Sequence, residues 1–450
     1  MPRPLEPAAA LSLSFAAVIA AGTGALRLPQ AAEGPPLPLV DALFLSTSAV
    51  CVTGLSPVDV SARLSPAGQA GLALLVQLGG LGLMTFGAWV SLLLGRRIAL
   101  RDRLAVEASL ADSPRARARR LVRYVLWFTL TAEGTVALLL FPAFLRDHPP
   151  GRAAWLAVFH AVSSFCNAGF ALFPDNLARY AADPWVSLVI CGSIVAGGLG
   201  FLVNLELRDH LRRRGPARQR RPYSLHARVV LATTAALLAA GTLVFLACEH
   251  GNLLAGRPWG ERLLAALFLS VTPRTAGFNT VDYGQATTAT LLFTLFLMFV
   301  GASPGSTGGG VKTTTLALWL AFVRGRWRGA SGTALFRRTV PDEVVERAFL
   351  VTLLAATVVG AGTLGLALAE HGGPFRGGQP QLLELLFEAT SAFGTVGLST
   401  GITPSLSAAS KLVLSALMFV GRVGPLTVVL ALAARQPERF RHAEEAVMVG

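Results

Sequence analysis

Long apolar blocks separated by short arginine-rich stretches set the pattern of the chain. Apolar runs occupy 69–94, 121–145, 185–203, 229–248, 286–302, 348–369 and 412–434. A helix rising 1.5 Å per residue crosses a hydrocarbon core of about 30 Å in about 20 residues, so each run predicts a membrane-crossing helix. Residues 1–26 predict another, because Arg3 is the only basic residue before the apolar run and no A-x-A site precedes a soluble domain. A second kind of segment, amphipathic and too short to span, recurs at Leu39 to Val50, Ala153 to Phe165, Glu261 to Val271 and Gln381 to Phe393. Each is followed by a glycine-centred, hydroxyl-rich sequence: Cys51-Val52-Thr53-Gly54-Leu55-Ser56, Cys166-Asn167-Ala168-Gly169-Phe170, Arg274-Thr275-Ala276-Gly277-Phe278-Asn279-Thr280 and Gly394-Thr395-Val396-Gly397-Leu398-Ser399-Thr400. The four central glycines lie 115, 108 and 120 residues apart, which predicts four copies of helix, re-entrant helix, glycine loop and helix. The copies divide at 1–95, 96–207, 208–325 and 326–450, with the short helix and glycine loop of each at 39–59, 153–176, 258–282 and 380–403.

Composition agrees with this pattern and charge orients it. Of the 450 residues 53% are hydrophobic and 14% charged, against about 25% charged in a soluble domain, which excludes an ordinary cytosolic enzyme, a disordered chain and a disulfide scaffold. The 39 basic residues are unevenly placed: 27 fall at Arg3, 96–123, 208–228, 324–347 and 435–441, and 10 on the segments that carry the glycine loops. The positive-inside rule puts the first group and both termini in the cytoplasm and the glycine loops outside. It also accounts for the arginine runs at 212–214 and 218–221 without nucleic acid, since no stacking aromatics interleave. Contact with anionic membrane lipids is expected as a secondary effect. The four cysteines form no Cys-x-x-Cys pair, and seven scattered histidines leave no metal-ligand spacing.

Non-helical backbone at membrane depth is tolerated where it is buried in protein or lines a watery cavity. Four such loops around one axis can turn their carbonyls inward and replace the hydration shell of a monovalent cation. The expected donors are Val52, Thr53 and Gly54; Asn167, Ala168 and Gly169; Thr275, Ala276 and Gly277; and Thr395, Val396 and Gly397. These groups supply no nucleophile or acid–base pair, so the chain reads as a permeation protein and not an enzyme. Asp59, Asp175 and Asp282, five or six residues beyond three of the glycines, read as an outer vestibule that concentrates cations; Thr403 holds that place in the fourth loop. The run Gly301, Ala302, Ser303, Pro304, Gly305, Ser306, Thr307, Gly308, Gly309, Gly310 cannot remain helical and is read, over 301–313, as a gate loop below the filter. A phosphate-binding loop is excluded, since Val311 separates Gly310 from Lys312 and no strand precedes it. Lys312 is expected at the cytoplasmic end of the break, snorkelling. Arg422, a charge at membrane depth, is expected to face the pore and repel cations, or to pair with loop carbonyls.

The four filter loops, the Gly301 to Gly310 loop followed by Lys312, and the arginine of Gly421-Arg422-Val423-Gly424 resemble the Ktr/Trk/HKT superfamily of potassium transporters, and most closely the bacterial Ktr-type pore subunit. The resemblance spans essentially the whole chain. It implies an all-α polytopic fold of four pseudo-symmetric repeats, with eight transmembrane and four re-entrant pore helices around one central pore. It makes Gly54, Gly169, Gly277 and Gly397 the filter glycines, with K⁺ held at the filter, Na⁺ as a stimulating ion and no further cofactor on this chain. It implies a homodimer, docking on a separate cytosolic nucleotide-binding RCK ring, in a bacterial inner membrane. The first filter, Val52-Thr53-Gly54-Leu55, departs from the other three, and an obligately Na⁺-coupled or mixed Na⁺/K⁺ transporter stays open as the alternative.

Overall fold

The computed structural model of the protein describes residues 7–94, 114–212, 223–330, 332–370 and 381–424. A helix, a short helix ending in a loop, and a returning helix succeed one another four times. The first set is α1 (Pro7–Leu26), α2 (Leu39–Val50), the one-turn α3 (Val60–Arg63) and α4 (Pro66–Leu94). The second is α5 (Pro114–Phe144), α6 (Pro150–Phe165) and α7 (Pro184–Gly198), continued by α8 (Phe201–Arg212). The third is α9 (Leu225–Glu249), α10 (Trp259–Val271) and α11 (Thr288–Phe299), which resumes after a loop as α12 (Thr313–Trp327). The fourth is α13 (Asp342–Ala369), α14 (Leu382–Gly394) and α15 (Ala408–Val423). Among the described residues a two-stranded hairpin of Thr333–Leu335 and Arg338–Val340 stands between the third and fourth sets.

Local sequence sets the helix starts. Ser224, Thr287 and Ser407 each accept the backbone N–H three residues on, and Asp183 accepts those of Trp185 and Val186, satisfying donors that a helix N-terminus leaves open. Glu249 and Glu370, at the outer ends of α9 and α13, accept the N–H groups of Thr287 and Ser407 at 2.9 Å each. One carboxylate thus ties each of these outgoing helices to the start of its returning partner.

The layers are inverted relative to a soluble protein. The short helices α2, α6, α10 and α14 sit at the centre, and long outer helices expose leucines outward: Leu138 on α5 is 75% exposed, Leu243 on α9 68% and Leu353 on α13 67%. Such a surface is stable against lipid tails, not water. Among the described residues Val122–Phe144, Leu225–Glu249 and Asp342–Ala369 are long and apolar enough to cross a membrane. Each returning helix packs on the short helix of the next set: α4 on α6, α7 on α10, α11 on α14 and α15 on α2. The last of these contacts closes the circle, and an ion pair at 2.7 Å between Lys411 of α15 and Asp41 of α2 seals it.

Two of the predicted spans are corrected. The run 185–203 is not one crossing: the helix ends at Gly198 and turns by 110° into α8. Gly200 makes the bend with φ +88°, and a Cβ there would stand 2.6 Å from the Pro304 carbonyl oxygen. Within 286–302 the helix is 12 residues long and stops at Phe299, because the glycine-rich stretch begins at once. The arginine-rich segments at 96–113, 213–221 and 435–441, and the part of 412–434 beyond Gly424, lie outside the described residues.

Candidate ion pathway

The C-termini of the four short helices run directly into the glycine loops, and the loops meet. A Cβ built on Gly54 would lie 3.3 Å from Gly169 Cα, one on Gly169 2.8 Å from Gly277 Cα, one on Gly277 3.2 Å from Gly397 Cα and one on Gly397 3.0 Å from Gly54 Cα. The four glycines therefore form a closed ring in chain order. All have positive φ, from +69° to +100°, so an added side chain would meet both backbone strain and a neighbouring loop. The carbonyl oxygens of Thr53, Ala168, Ala276 and Val396 are the atoms those Cβ positions would strike, so each set presents one carbonyl to the glycine of the preceding set around the ring.

Hydrogen bonding explains why oxygens face this ring. The N–H groups of Thr53, Ala168 and Val396 donate back to the carbonyls of Ser48, Ser163 and Ser391 at 2.8, 2.7 and 2.9 Å, and that of Ala276 donates to Thr272 at 3.0 Å. With the N–H groups turned back toward their own short helices, the carbonyls are the backbone groups left to the neighbouring loops. Two residues before each glycine stand Val52, Asn167, Thr275 and Thr395, whose φ angles are +57°, +61°, +72° and +50°. Three of these are β-branched, for which a left-handed conformation costs of order 1–3 kcal/mol each. The left-handed conformation recurs at the same offset in all four loops, and in three of them a β-branched residue adopts it. The helix C-termini aimed at the ring add partial negative charge, which favours a cation there.

The 301–313 loop lies directly beneath. It leaves α11 at Val300 and returns alongside it at Val311. The Gly309 N–H donates to Thr395 Oγ1 at 3.0 Å, and a Cβ on Gly309 would lie 2.5 Å from that same oxygen. Thr275 Oγ1 would meet a Cβ on Gly308 more closely still, and it pairs with the Asn167 amide at 3.2 Å. The loop is also tied to the second set, by Ser303 N–H to Gly198 O at 3.1 Å and Phe201 N–H to Gly305 O at 3.1 Å. Arg422 is 2% exposed; its Nη1 donates to Thr307 O of the loop and its Nη2 to Gly79 O of α4 at 2.8 Å. Of the two expectations for Arg422, pairing with a loop carbonyl is the one realised. Lys312 does not snorkel: its ammonium turns back to Gly308 O at 2.7 Å and Gly309 O at 3.2 Å, clamping the loop from below.

Asp59, Asp175 and Asp282, expected at an outer vestibule, are exposed. Each caps its own next turn: Asp59 accepts Ser61 N–H at 2.8 Å, Asp282 accepts Gly284 N–H at 2.8 Å and Asp175 pairs with Arg179 at 2.7 Å. In the fourth loop Thr403 is buried and bonded at 3.0 Å to Glu388, a buried acid of α14. Sequence reasoning passed over Glu388 and over His160 of α6, because each stands as one polar residue in an apolar stretch. Gly79, Gly197 and Gly421, where the returning helices cross the short ones, were likewise missed.

A closed ring of four glycine loops at the ends of four short helices, inside a shell of helices that expose leucines, marks a multi-pass membrane protein. Residues 10–442 match the model of the TrkH cation transport protein family, and the chain belongs to that family. It is 36% identical over 446 residues to "Ktr system potassium uptake protein B" of Bacillus subtilis, covering 99% of this chain and 97% of that one. It is 35% identical to "Potassium/sodium uptake protein NtpJ" of Enterococcus hirae, covering 99% and 98%. Among solved structures it resembles the potassium transporter TrkH from Vibrio parahaemolyticus with a TM-score of 0.76, covering 96% of this chain and 86% of that one at 18% identity, a likeness of fold.

Proposed function

We propose that the protein takes up potassium across the bacterial cytoplasmic membrane, with the glycine ring as selectivity filter and the 301–313 loop as gate. The observation that carries this reading is the closed ring of Gly54, Gly169, Gly277 and Gly397 with the loop packed against Thr275 and Thr395 directly below it. Carbonyl oxygens suit a dehydrated K⁺, and relatives aligned over nearly the whole chain carry names of potassium uptake proteins. The four units divide as the sequence suggests, at 1–95, 96–207, 208–325 and 326–450. Both termini face the cytoplasm, and the membrane potential drives uptake with about 2.3 kcal/mol per charge per 100 mV. Asp59, Asp175 and Asp282 gather cations at the outer mouth. Two copies associate, and a separate cytosolic RCK ring releases the gate, whose closure rests on Arg422 and Lys312 holding the loop carbonyls. Na⁺ stimulates transport.

A second reading, obligate Na⁺ coupling or mixed Na⁺/K⁺ transport, draws on the 35% identity to a relative named for potassium and sodium. Rubidium or potassium uptake in a K⁺-uptake-deficient bacterium, with and without a matching regulatory subunit and with and without Na⁺, separates the two. Saturable uptake raised by the regulator and persisting without Na⁺ is expected. Uptake that stops without Na⁺ establishes the second reading, and none in a well-expressed protein sinks both.

A further inference from the structure

The residue nine positions before each ring glycine is Leu45, His160, Phe268 and Glu388 in turn, and all four are buried, at 0%, 0%, 1% and 0% exposure. At this place behind the loops, the first and third sets carry apolar groups. The second and fourth, diagonally opposite in the ring, carry polar ones that reach forward. Leu172 N–H donates to His160 Nε2 at 3.4 Å. Glu388 does more: Ser399 Oγ donates to its Oε1 and Thr403 Oγ1 to its Oε2 at 3.0 Å. Thr403 also bonds Ser399 Oγ at 3.0 Å, and Ser399 Oγ accepts Gly401 N–H at 2.8 Å. A single carboxylate thereby fixes the outer half of the fourth loop, beginning two residues beyond Gly397.

We propose that Glu388 is a specificity-determining positioning residue, holding Ser399 and Thr403 so that the fourth loop cannot contract around a smaller ion. The proposal rests on the reading of the glycine ring as a filter. A ring that discriminates by the spacing of its carbonyls favours K⁺ over Na⁺ to the extent that its backbone resists contraction. The first, second and third loops carry an aspartate that caps an outer turn. In the fourth the acid comes from the short helix behind, and its two oxygens are occupied by loop hydroxyls. Bonds to a carboxylate are stronger than those between neutral groups, which suits a brace of this kind.

Glu388→Gln keeps the side-chain volume but leaves one acceptor oxygen for two hydroxyls. Thr403→Val keeps the carboxylate and removes one donor. Uptake of K⁺ and of Na⁺, measured separately in cells and normalised to protein in the membrane, gives the discrimination ratio; thermal melting of the solubilised protein reports folding. The expected result is a K⁺ over Na⁺ ratio lower by about tenfold for Glu388→Gln, equivalent to about 1.4 kcal/mol, and a smaller fall in the same direction for Thr403→Val. A lowered melting temperature with an unchanged ratio overturns the proposal and leaves Glu388 a structural group. Should Glu388→Gln fail to accumulate, Thr403→Val decides by the same ratio. Unmutated protein without preference for K⁺ refutes the filter reading, a result distinct from a selective parent with equally selective variants.

Discussion

The first and third returning helices meet the ring at equivalent places and do opposite things there. α4 runs unbroken from Pro66 to Leu94, and at Gly79 it crosses the end of α2 so closely that a Cβ would collide with the Val50 carbonyl. α7 and α15 repeat this contact, Gly197 against Phe165 O and Gly421 against Phe393 O. The third counterpart is Gly301, which lies 24 residues after Gly277 just as Gly421 lies 24 after Gly397. At Gly301 the obstacle is the carbonyl of Gly309, from the same segment folded back. The small residue that lets three helices dock on a neighbour lets the fourth admit its own loop. The residues just beyond the glycine decide the outcome: Gly80-Leu81-Gly82-Leu83 after Gly79 contains no proline and stays helical, whereas Ala302-Ser303-Pro304-Gly305 adds a proline ahead of a longer glycine run and cannot hold a helix. One kind of close contact thus serves helix docking at three places and the folding back of a loop at the fourth, and the difference lies in whether the carbonyl partner belongs to another helix or to the same segment.

The sharpest way to break this comparison is to add the same methyl group at both places. Gly421→Ala pushes a Cβ into the backbone of α14, which cannot yield without disturbing the ring, so a loss of at least about 1–3 kcal/mol is expected. Gly301→Ala pushes against a loop and should leave the melting temperature of the solubilised protein nearer the parent while altering flux. Equal melting losses would remove the distinction. Next in size, deleting Gly305 to Gly310 takes away the segment under the ring. Uptake should rise by about tenfold and lose its dependence on a regulatory subunit; unchanged flux would refute the gate. Arg422→Ala is smaller. It frees Thr307 O and Gly79 O while Lys312 still holds Gly308 and Gly309, so uptake should rise severalfold with the protein still folded. A protein that disappears from detergent-solubilised profiles would show that Arg422 serves stability instead.

The four loops, the break after Phe299 and Arg422 were legible because each is an exception that a bilayer forbids unless something uses it: glycine clusters or a charge at membrane depth. The short helices fell close to their predicted limits, with Leu39–Val50 matched at both ends. What escaped was set by tertiary contact. Gly200 looks like any glycine of an apolar run, and the 110° turn is visible only once Pro304 O is placed beside it. The positive φ of Val52, Thr275 and Thr395 has no sequence signal, since a β-branched residue ordinarily argues against it. Lys312 was read from its position near a helix end, whereas its partners are carbonyls of a loop that folds back over it. Glu388 carried no periodicity or motif, and its use appears only when Ser399 and Thr403 stand in front of it.

The smallest effect is expected at the outer mouth, where vestibule and cap readings diverge. Partial burial raises the Asp175 pKa, but hydrogen bonds and charge from Arg179 outweigh it and hold the carboxyl below its usual range. The pairing therefore stabilises the fold above the ordinary carboxylate range and is lost as pH falls through the depressed value. Both side chains are more than a third exposed, at 41% and 38%, so solvent screening limits the contribution to about 0–1 kcal/mol. If capping is all that Asp175 does, Asp175→Asn should change uptake by no more than about fivefold, the span of about 1 kcal/mol, and equally at any ionic strength. If its charge also concentrates cations, the loss should grow at low salt, where the Debye length extends to about 30 Å at 0.01 M, and vanish at high salt. Uptake of the variant and the parent across that range of salt separates a turn that happens to be acidic from a mouth that attracts its ion.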